Sequence, residues 1–192
     1  MRPESHRVLG QLLVARFMPD HPKRYIRAFM LGCIEPDKNP TTYLKGSLRS
    51  QWLRGHNYHN ARKYMDRVCV RLCKKELKLA DYYALGKLIH YTADAFTLAH
   101  NTSFGGKLVD HRRYERRLHS CFMLYIQNAR LNVRQREEHP SNMIRRYHKA
   151  YCQCRPGVDT DVRFILRICC QVLPLLLGSS ILPQEEKVSF FH

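Results

Sequence analysis

Apolar residues recur every three or four positions along most of the chain, which is the spacing of one face of an α-helix. Seven segments carry this pattern: residues 6–18, 22–32, 58–78, 80–100, 109–134, 141–151 and 159–177. No pair of neighbouring segments alternates between apolar and polar positions, as two half-buried strands would. The pattern therefore predicts an all-α fold, a multi-helix bundle.

Two segments interrupt the helical pattern with proline, glycine and short polar residues. They are EPDKNPTTYLKGS, which begins at Glu35, and NTSFGGKL, which begins at Asn101, and both are expected to be loops. No internal repeat or low-complexity linker divides the chain. A length of 192 residues suits one compact domain, so we expect a single domain over residues 1–192.

The chain is strongly basic, with 33 Lys and Arg against 16 Asp and Glu, a formal net charge of +17. Such a charge favours an anionic partner: a phospholipid headgroup, nucleic acid or a phosphate ester. The most apolar tract, FILRICCQVLPLLLGSSIL, is interrupted by Arg167 and Pro174 and predicts a buried helix and no transmembrane segment. The first residues lack the pattern of a secretory leader, so a cytoplasmic location is expected.

The segment LIHYTADAFTLAHN places two histidines and an aspartate in an apolar run without proline or glycine. On an α-helix, His90 and Asp94 lie on one face about one turn apart, close enough to hold the same ion. An unpaired Asp94 charge among apolar neighbours would be costly to bury, and a cation relieves that cost. On the predicted helix, His100 lies about 15 Å further along the axis than His90, too far to reach the same ion, so it is expected to serve a second ion.

The next helical segment, DHRRYERRLH, repeats the four-residue spacing with His111 and Glu115. The glycine-containing loop before it could bring this helix back beside His100. One such pair is usually a surface pair, but two pairs and His100 within 26 residues favour metal binding. His100, His111 and Glu115 would supply nitrogen and oxygen ligands and leave a coordination position open, as a catalytic zinc site requires.

The order HxxxDxxxxxH, a loop and then HxxxE resembles the zinc-dependent phospholipase C family, whose relatives include single-strand zinc nucleases. Three earlier segments are also similar to the family: ESHRVL to its first histidine, LGCIEPDKNP to its aspartate loop, and LRGHNYHNARKYM to the histidine after that loop. The resemblance covers residues 5–118. It implies an all-α fold and a cofactor of two or three zinc ions.

The resemblance also implies how the ligands are divided among the ions. One zinc would be held by Asp37, His56, His90 and Asp94. A second would be held by His100, His111 and Glu115, and a third by His6, Asp94 and the amino terminus. His59 is the alternative to His56 as a ligand of the first zinc. Asp37, the candidate catalytic residue, would act either as a ligand or as the general base toward the attacking water.

The function implied by the resemblance is zinc-dependent hydrolysis of a phosphate ester, with phospholipid as the expected substrate. One alternative is a single-strand nuclease or a phosphatase, because ARKYMDRVCVRLCKKELK and HRRYERRLHS interleave tyrosine with basic residues that could contact nucleic acid. The same basic helices could make peripheral contact with a membrane. The other alternative is a non-catalytic zinc-binding structural or interaction protein.

Overall fold

In the computed structural model, residues 1–38, 58–73, 76–101, 108–128 and 138–178 are described. They form seven α-helices and no strand, with one short 3₁₀ turn, Leu98–His100, after the fourth helix. The helices are α1 (Pro3–Phe17), α2 (Lys23–Lys38), α3 (Tyr58–Leu72), α4 (Leu79–Ala95), α5 (Leu108–Asn128), α6 (Pro140–Gln153) and α7 (Val158–Leu177). The prediction of an all-α fold is confirmed. No helix among these residues is long and apolar enough to cross a bilayer.

Helix α4 lies at the centre of the bundle, in contact with α1, α2, α3 and α7. It is buried around most of its circumference, and Leu85, Leu88 and Ala93 are completely inaccessible to solvent. After its first two residues, only one row of α4, which carries Tyr83, Lys87 and Tyr91, is partly exposed. Polar side chains on its other sides, such as His90 and Asp94, lie inside the core and need partners there.

Two glycines allow α2 and α4 to cross with their backbones in contact. A Cβ atom added to Gly32 would lie 2.2 Å from the carbonyl oxygen of Tyr83, and one added to Gly86 would lie 2.1 Å from the carbonyl oxygen of Phe29. Any larger residue would therefore force the two helices apart. The crossing places the last turn of α2, which carries Asp37, beside the middle of α4.

Three predicted helix ends are wrong by five or more residues, and two of them involve segments next to the candidate ligands. Helix α3 ends at Leu72, six residues before the predicted end at Lys78, and residues 76–78 are not helical. Helix α2 does not stop at Gly32 but continues through Pro36 to Lys38, because Gly32 provides a close contact between helices and not a helix end. Conversely, α4 ends at Ala95, five residues before the predicted end at His100. Asp37 thus lies on a helix, and His100 lies on a separate turn.

We predict that Gly86→Ala lowers the free energy of unfolding by about 1–3 kcal/mol, the usual effect of adding a methyl group to a closed core. The added Cβ meets backbone atoms of α2, which cannot move without shifting the whole helix. Urea unfolding followed by circular dichroism measures the change.

The matched control is Gly10→Ala, also in a buried helix interior. Its nearest new neighbour is the Met30 sulfur at 2.9 Å, near the end of a flexible side chain that can turn away. We expect a change below about 1 kcal/mol, because the gain in helix propensity offsets the small shift of Met30. Equal losses in the two variants would contradict the backbone contact between α2 and α4.

Candidate metal centre

Four polar side chains from three helices form the first group: His6 on α1, Asp37 on α2, and His90 and Asp94 on α4. One ligand atom from each lies within 4.8 Å of the others. The Asp94 carboxylate is the common neighbour, with one oxygen 3.2 Å from His6 Nε2 and the other 3.2 Å from His90 Nε2. Asp37 approaches from the other helix, 3.6 Å from His90 Nε2.

The two imidazoles of this group present their Nε2 atoms toward the carboxylates. The rings of His6 and His90 are stacked, with centroids 3.8 Å apart. His90 Nδ1 lies 2.9 Å from the carbonyl oxygen of Cys33. Because a carbonyl only accepts, Nδ1 donates the proton of this bond, and Nε2 is the ring atom that could bind a metal. A second hydrogen bond of this kind is the usual way a metal-binding histidine is oriented.

The second group consists of His100, His111 and Glu115, whose candidate ligand atoms also lie within 4.8 Å of one another. Glu115 Oε1 lies between the two rings, 3.1 Å from His100 Nε2 and 3.3 Å from His111 Nε2. All three side chains are partly exposed, His111 most of all at 24%. This group therefore lies nearer to solvent than the first.

The two groups adjoin each other through Asp94, whose Oδ1 is 3.7 Å from His100 Nε2. The prediction of a continuous helix through His100, from which the separation of about 15 Å between His90 and His100 followed, is wrong because α4 ends at Ala95 and a separate turn carries His100. The side-chain amide of Asn101 donates to the carbonyl oxygens of Ala95 and Thr97, at 3.1 and 2.9 Å. These bonds satisfy carbonyl groups at the end of α4 and so stabilise the turn.

Asp161 on α7 holds the segments that carry the second group in position, although it is not itself a member of that group. The sequence analysis did not identify this role. Its completely buried carboxylate accepts hydrogen bonds from the Leu98 backbone N–H, the Tyr114 hydroxyl and the Tyr151 hydroxyl, each at 2.8 Å. Leu98 opens the turn that ends at His100, and Tyr114 precedes Glu115. One carboxylate thus joins the turn to α5.

A signal for this role was present in the sequence. Asp161 precedes Ile165 and Ile168 at helical spacing, which places its carboxylate on the buried face of α7. A charged side chain on such a face requires hydrogen-bond donors. The identity of the donors was not accessible from the sequence, because they come from three other parts of the chain.

The amino group of Met1 lies between the two groups. It is 2.5 Å from Asp94 Oδ1, 2.7 Å from His100 Nε2 and 3.4 Å from Glu115 Oε1. Burial alone would lower the pKa of this amine, but the nearby carboxylates, Asp94 first, outweigh burial and raise it. The third ion implied by the resemblance combined the amino terminus with His6 and Asp94, and these groups do converge on the Asp94 carboxylate.

The charge states of these side chains suit a bound cation. Burial opposes the ionisation of Asp94, but His100, the amino terminus and His6 outweigh it, and the pKa of Asp94 lies well below its usual range. Burial likewise opposes ionisation of Glu115, yet hydrogen bonds with His100 and His111 lower its pKa. Burial lowers the pKa of both His6 and His100. Ionised carboxylates and neutral imidazoles are the forms that bind metal.

The donor set also fits zinc, since it contains only imidazole nitrogens and carboxylate oxygens. Seven of the eight predicted ligands belong to the two groups. The eighth, His56, lies outside the described residues. Its rival His59 has an exposed side chain on α3 and belongs to neither group.

The sequence model of the zinc dependent phospholipase C family matches residues 5–169, which extends from α1 into α7 and goes beyond the region of resemblance noted from the motifs. Comparisons with curated proteins and with solved structures found no match.

We predict that the stabilisation provided by Asp161 depends on pH. Burial raises the pKa of Asp161 to about 6, although its three hydrogen bonds act in the opposite direction. Because the folded-state pKa is raised, the contribution is fully present below the unfolded-state pKa near 4 and is lost as the pH rises through about 6. The free energy of unfolding relative to Asp161→Asn should therefore fall by on the order of 3 kcal/mol across this range.

Urea unfolding of both proteins at a series of pH values, with metal removed by a chelator, measures this difference. Asp159→Asn is the matched control, since Asp159 begins the same helix but is exposed. Its difference from the native chain should change little over the same range. A pH-independent difference for Asp161→Asn would show that its burial does not govern its ionisation.

Proposed function

The chain belongs to the zinc-dependent phospholipase C family, and we propose that it hydrolyses the phosphodiester bond of phospholipids with zinc ions held by the two groups. Members of this family are hydrolases. The observation that carries the proposal is the convergence of seven histidine, aspartate and glutamate side chains into two adjoining groups. The pKa values of Asp94 and Glu115 are lowered by their neighbours and those of His6 and His100 by burial, which favours the ionised carboxylates and neutral imidazoles that metal binding requires.

In this proposal Asp94 serves both groups. Its carboxylate lies against His6 and His90 on one side and His100 on the other. The first group binds one ion and the second group binds another. His56 is proposed as an additional ligand. The amino terminus, whose pKa is raised by the nearby carboxylates, is proposed as another that releases its proton when the metal binds.

Bound zinc would supply Lewis-acid stabilisation of the phosphate and a water of lowered pKa. The side chains of the centre differ in their exposure to solvent, and their proposed roles follow from that difference. His6, His90 and Asp94 are buried and fix the inner side of the centre, whereas Asp37, His111 and Glu115 are partly open to solvent. A substrate phosphate would therefore approach on the open side, where an Asp37 carboxylate oxygen can accept a proton from the attacking water.

Phospholipid is favoured over single-stranded nucleic acid because the tyrosines among the basic residues are engaged inside the protein. The hydroxyl of Tyr114 donates to buried Asp161. Tyr64 is half-buried and packs edge-on against Tyr91, with ring centroids 5.3 Å apart. Neither ring is presented as a platform on which a base could stack.

We predict that Asp94→Asn lowers the zinc content by at least one ion per chain. The substitution keeps the shape of the side chain but removes the charge shared by both groups, and the loss of a ligand should weaken binding by more than the roughly 10–100-fold seen for outer-shell changes. Elemental analysis of protein dialysed against limiting zinc measures the content. His59→Ala is the control and should retain the native amount. Equal losses would contradict the ligand assignment.

We also predict that the purified chain releases phosphorylated headgroup from short-chain phosphatidylcholine, and that a chelator abolishes this activity and added zinc restores it. A chromogenic phosphodiester, a phosphomonoester and single-stranded DNA are tested in parallel. Faster zinc-dependent cleavage of DNA than of lipid would favour the nuclease alternative. Retained zinc without turnover of any substrate would favour a non-catalytic zinc-binding protein.

A further inference from the structure

The solvent-facing side of α5 carries a cluster of arginines. Arg112, Arg113, Arg116 and Arg117 are all exposed. They form two pairs four residues apart, so each pair lies in a row along the helix surface. Four like charges lie within about 10 Å along the helix axis, which makes this a site of concentrated positive potential.

No carboxylate among the described residues forms an ion pair with these four side chains. Exposed arginines elsewhere do have such partners: Arg146 pairs with Glu138 at 2.7 Å, and Arg163 pairs with Asp159 at 2.9 Å. Like charges four residues apart on a helix repel each other. An external anionic surface would remove this repulsion.

Two large aliphatic side chains lie on the same side of α5. Val109 is 66% exposed and Leu124 is 61% exposed. With a rotation of about 100° per residue, both fall within the sector spanned by the arginines, one near each end, about 22 Å apart along the axis. We call these six residues the arginine face: Val109, Arg112, Arg113, Arg116, Arg117 and Leu124.

We propose that the arginine face docks onto the surface of a bilayer that contains anionic phospholipid. Guanidinium groups pair with lipid phosphates and are attracted by the negative surface potential, at about 1 kcal/mol per basic residue. The exposed aliphatic side chains at its two ends can enter the boundary between headgroups and acyl chains. Charge and apolar exposure on one helix side thus point to the same partner.

The aliphatic residues distinguish a bilayer from nucleic acid. Val109 and Leu124 would gain nothing from a phosphate backbone, whereas insertion into lipid removes their apolar surface from water. The aromatic residues of α5 face elsewhere: the hydroxyls of Tyr114 and Tyr125 bond to Asp161 and Asp159, and Phe122 is completely buried. No stacking platform accompanies the arginines.

This inference deepens the proposed function, because α5 also carries His111 and Glu115 of the second group. Docking would hold that group within about one helix diameter of the lipid headgroups. Binding to the bilayer nevertheless requires no hydrolysis. The two proposals can therefore fail separately.

The test is cosedimentation of the full chain with vesicles of phosphatidylcholine, with and without phosphatidylserine, at low and high salt, both zinc-loaded and after chelation. We expect binding that requires phosphatidylserine, weakens with salt and survives chelation. Replacing the four arginines by glutamine should lower the partition coefficient by at least about 50-fold, given roughly fivefold per arginine. Two double variants, with glutamine at Arg112 and Arg116 or at Arg113 and Arg117, should each lower the partition coefficient by more than about tenfold. They replace the quadruple variant in the test if that variant does not fold.

The matched control carries the same change of charge on α3, with glutamine at Arg62, Lys63, Arg67 and Arg71, all exposed. It should lower binding less than about fivefold, because these side chains lie on another helix and two of them already face carboxylates. Equal losses in the two quadruple variants would mean that net charge alone attracts the protein, and would overturn the proposal. So would binding that is independent of phosphatidylserine.

A second comparison tests the aliphatic residues. Val109→Ser with Leu124→Ser should weaken vesicle binding severalfold without changing its salt dependence, whereas Leu31→Ser, a change of an equally exposed residue on α2, should have no effect. Single-stranded DNA is the competing ligand. If the four arginines are required for DNA binding and the native chain does not bind phosphatidylserine vesicles, the face is a nucleic-acid surface and the proposal is wrong.

Discussion

The structure depends on the compensation of one negative charge in the middle of the core. Asp94 is completely buried on the central helix, where an isolated carboxylate would be strongly unfavourable. Three imidazoles and the amino group of Met1 surround it. These groups belong to the first residue, to α1, to α4 itself and to the turn after α4. The Asp94 carboxylate therefore interacts with four separate parts of the chain.

The positions of the other ligands are set by features remote from their own side chains. The contact between Gly32 and Gly86 determines how close the end of α2 comes to α4, and therefore where Asp37 lies. Asp161 joins the turn of His100 to the helix of Glu115 through Leu98 and Tyr114. Six of the seven ligands that the structure brings together therefore lie on packed helices, and the turn that carries the seventh, His100, is hydrogen-bonded to α7 through Asp161.

The helical periodicity of the sequence predicted the class of the fold and most of the helices, because it reflects which face of each segment is buried. The four-residue spacings of His90 with Asp94 and of His111 with Glu115 were equally informative, since local helix geometry alone brings those side chains together. The ends of α2 and α4 were not predictable in this way. Gly32 and Pro36 are typical of a helix end, yet α2 packs against α4 and continues beyond both. The apolar pattern around Phe96 is typical of a helix, yet α4 ends there because Asn101 and Asp161 bind the backbone of the turn that follows.

The shared position of Asp94 has a consequence for any cations that the centre binds. The Asp94 carboxylate belongs to the first group and lies 3.7 Å from His100 Nε2 of the second, so an ion at one group changes the charge that the other group encounters. The two binding equilibria are then linked, and linkage requires the effect to be reciprocal: whatever factor the first ion imposes on the affinity for the second, the second imposes on the first. Occupancy would accordingly follow a cooperative isotherm, positive or negative, and not the sum of two independent ones.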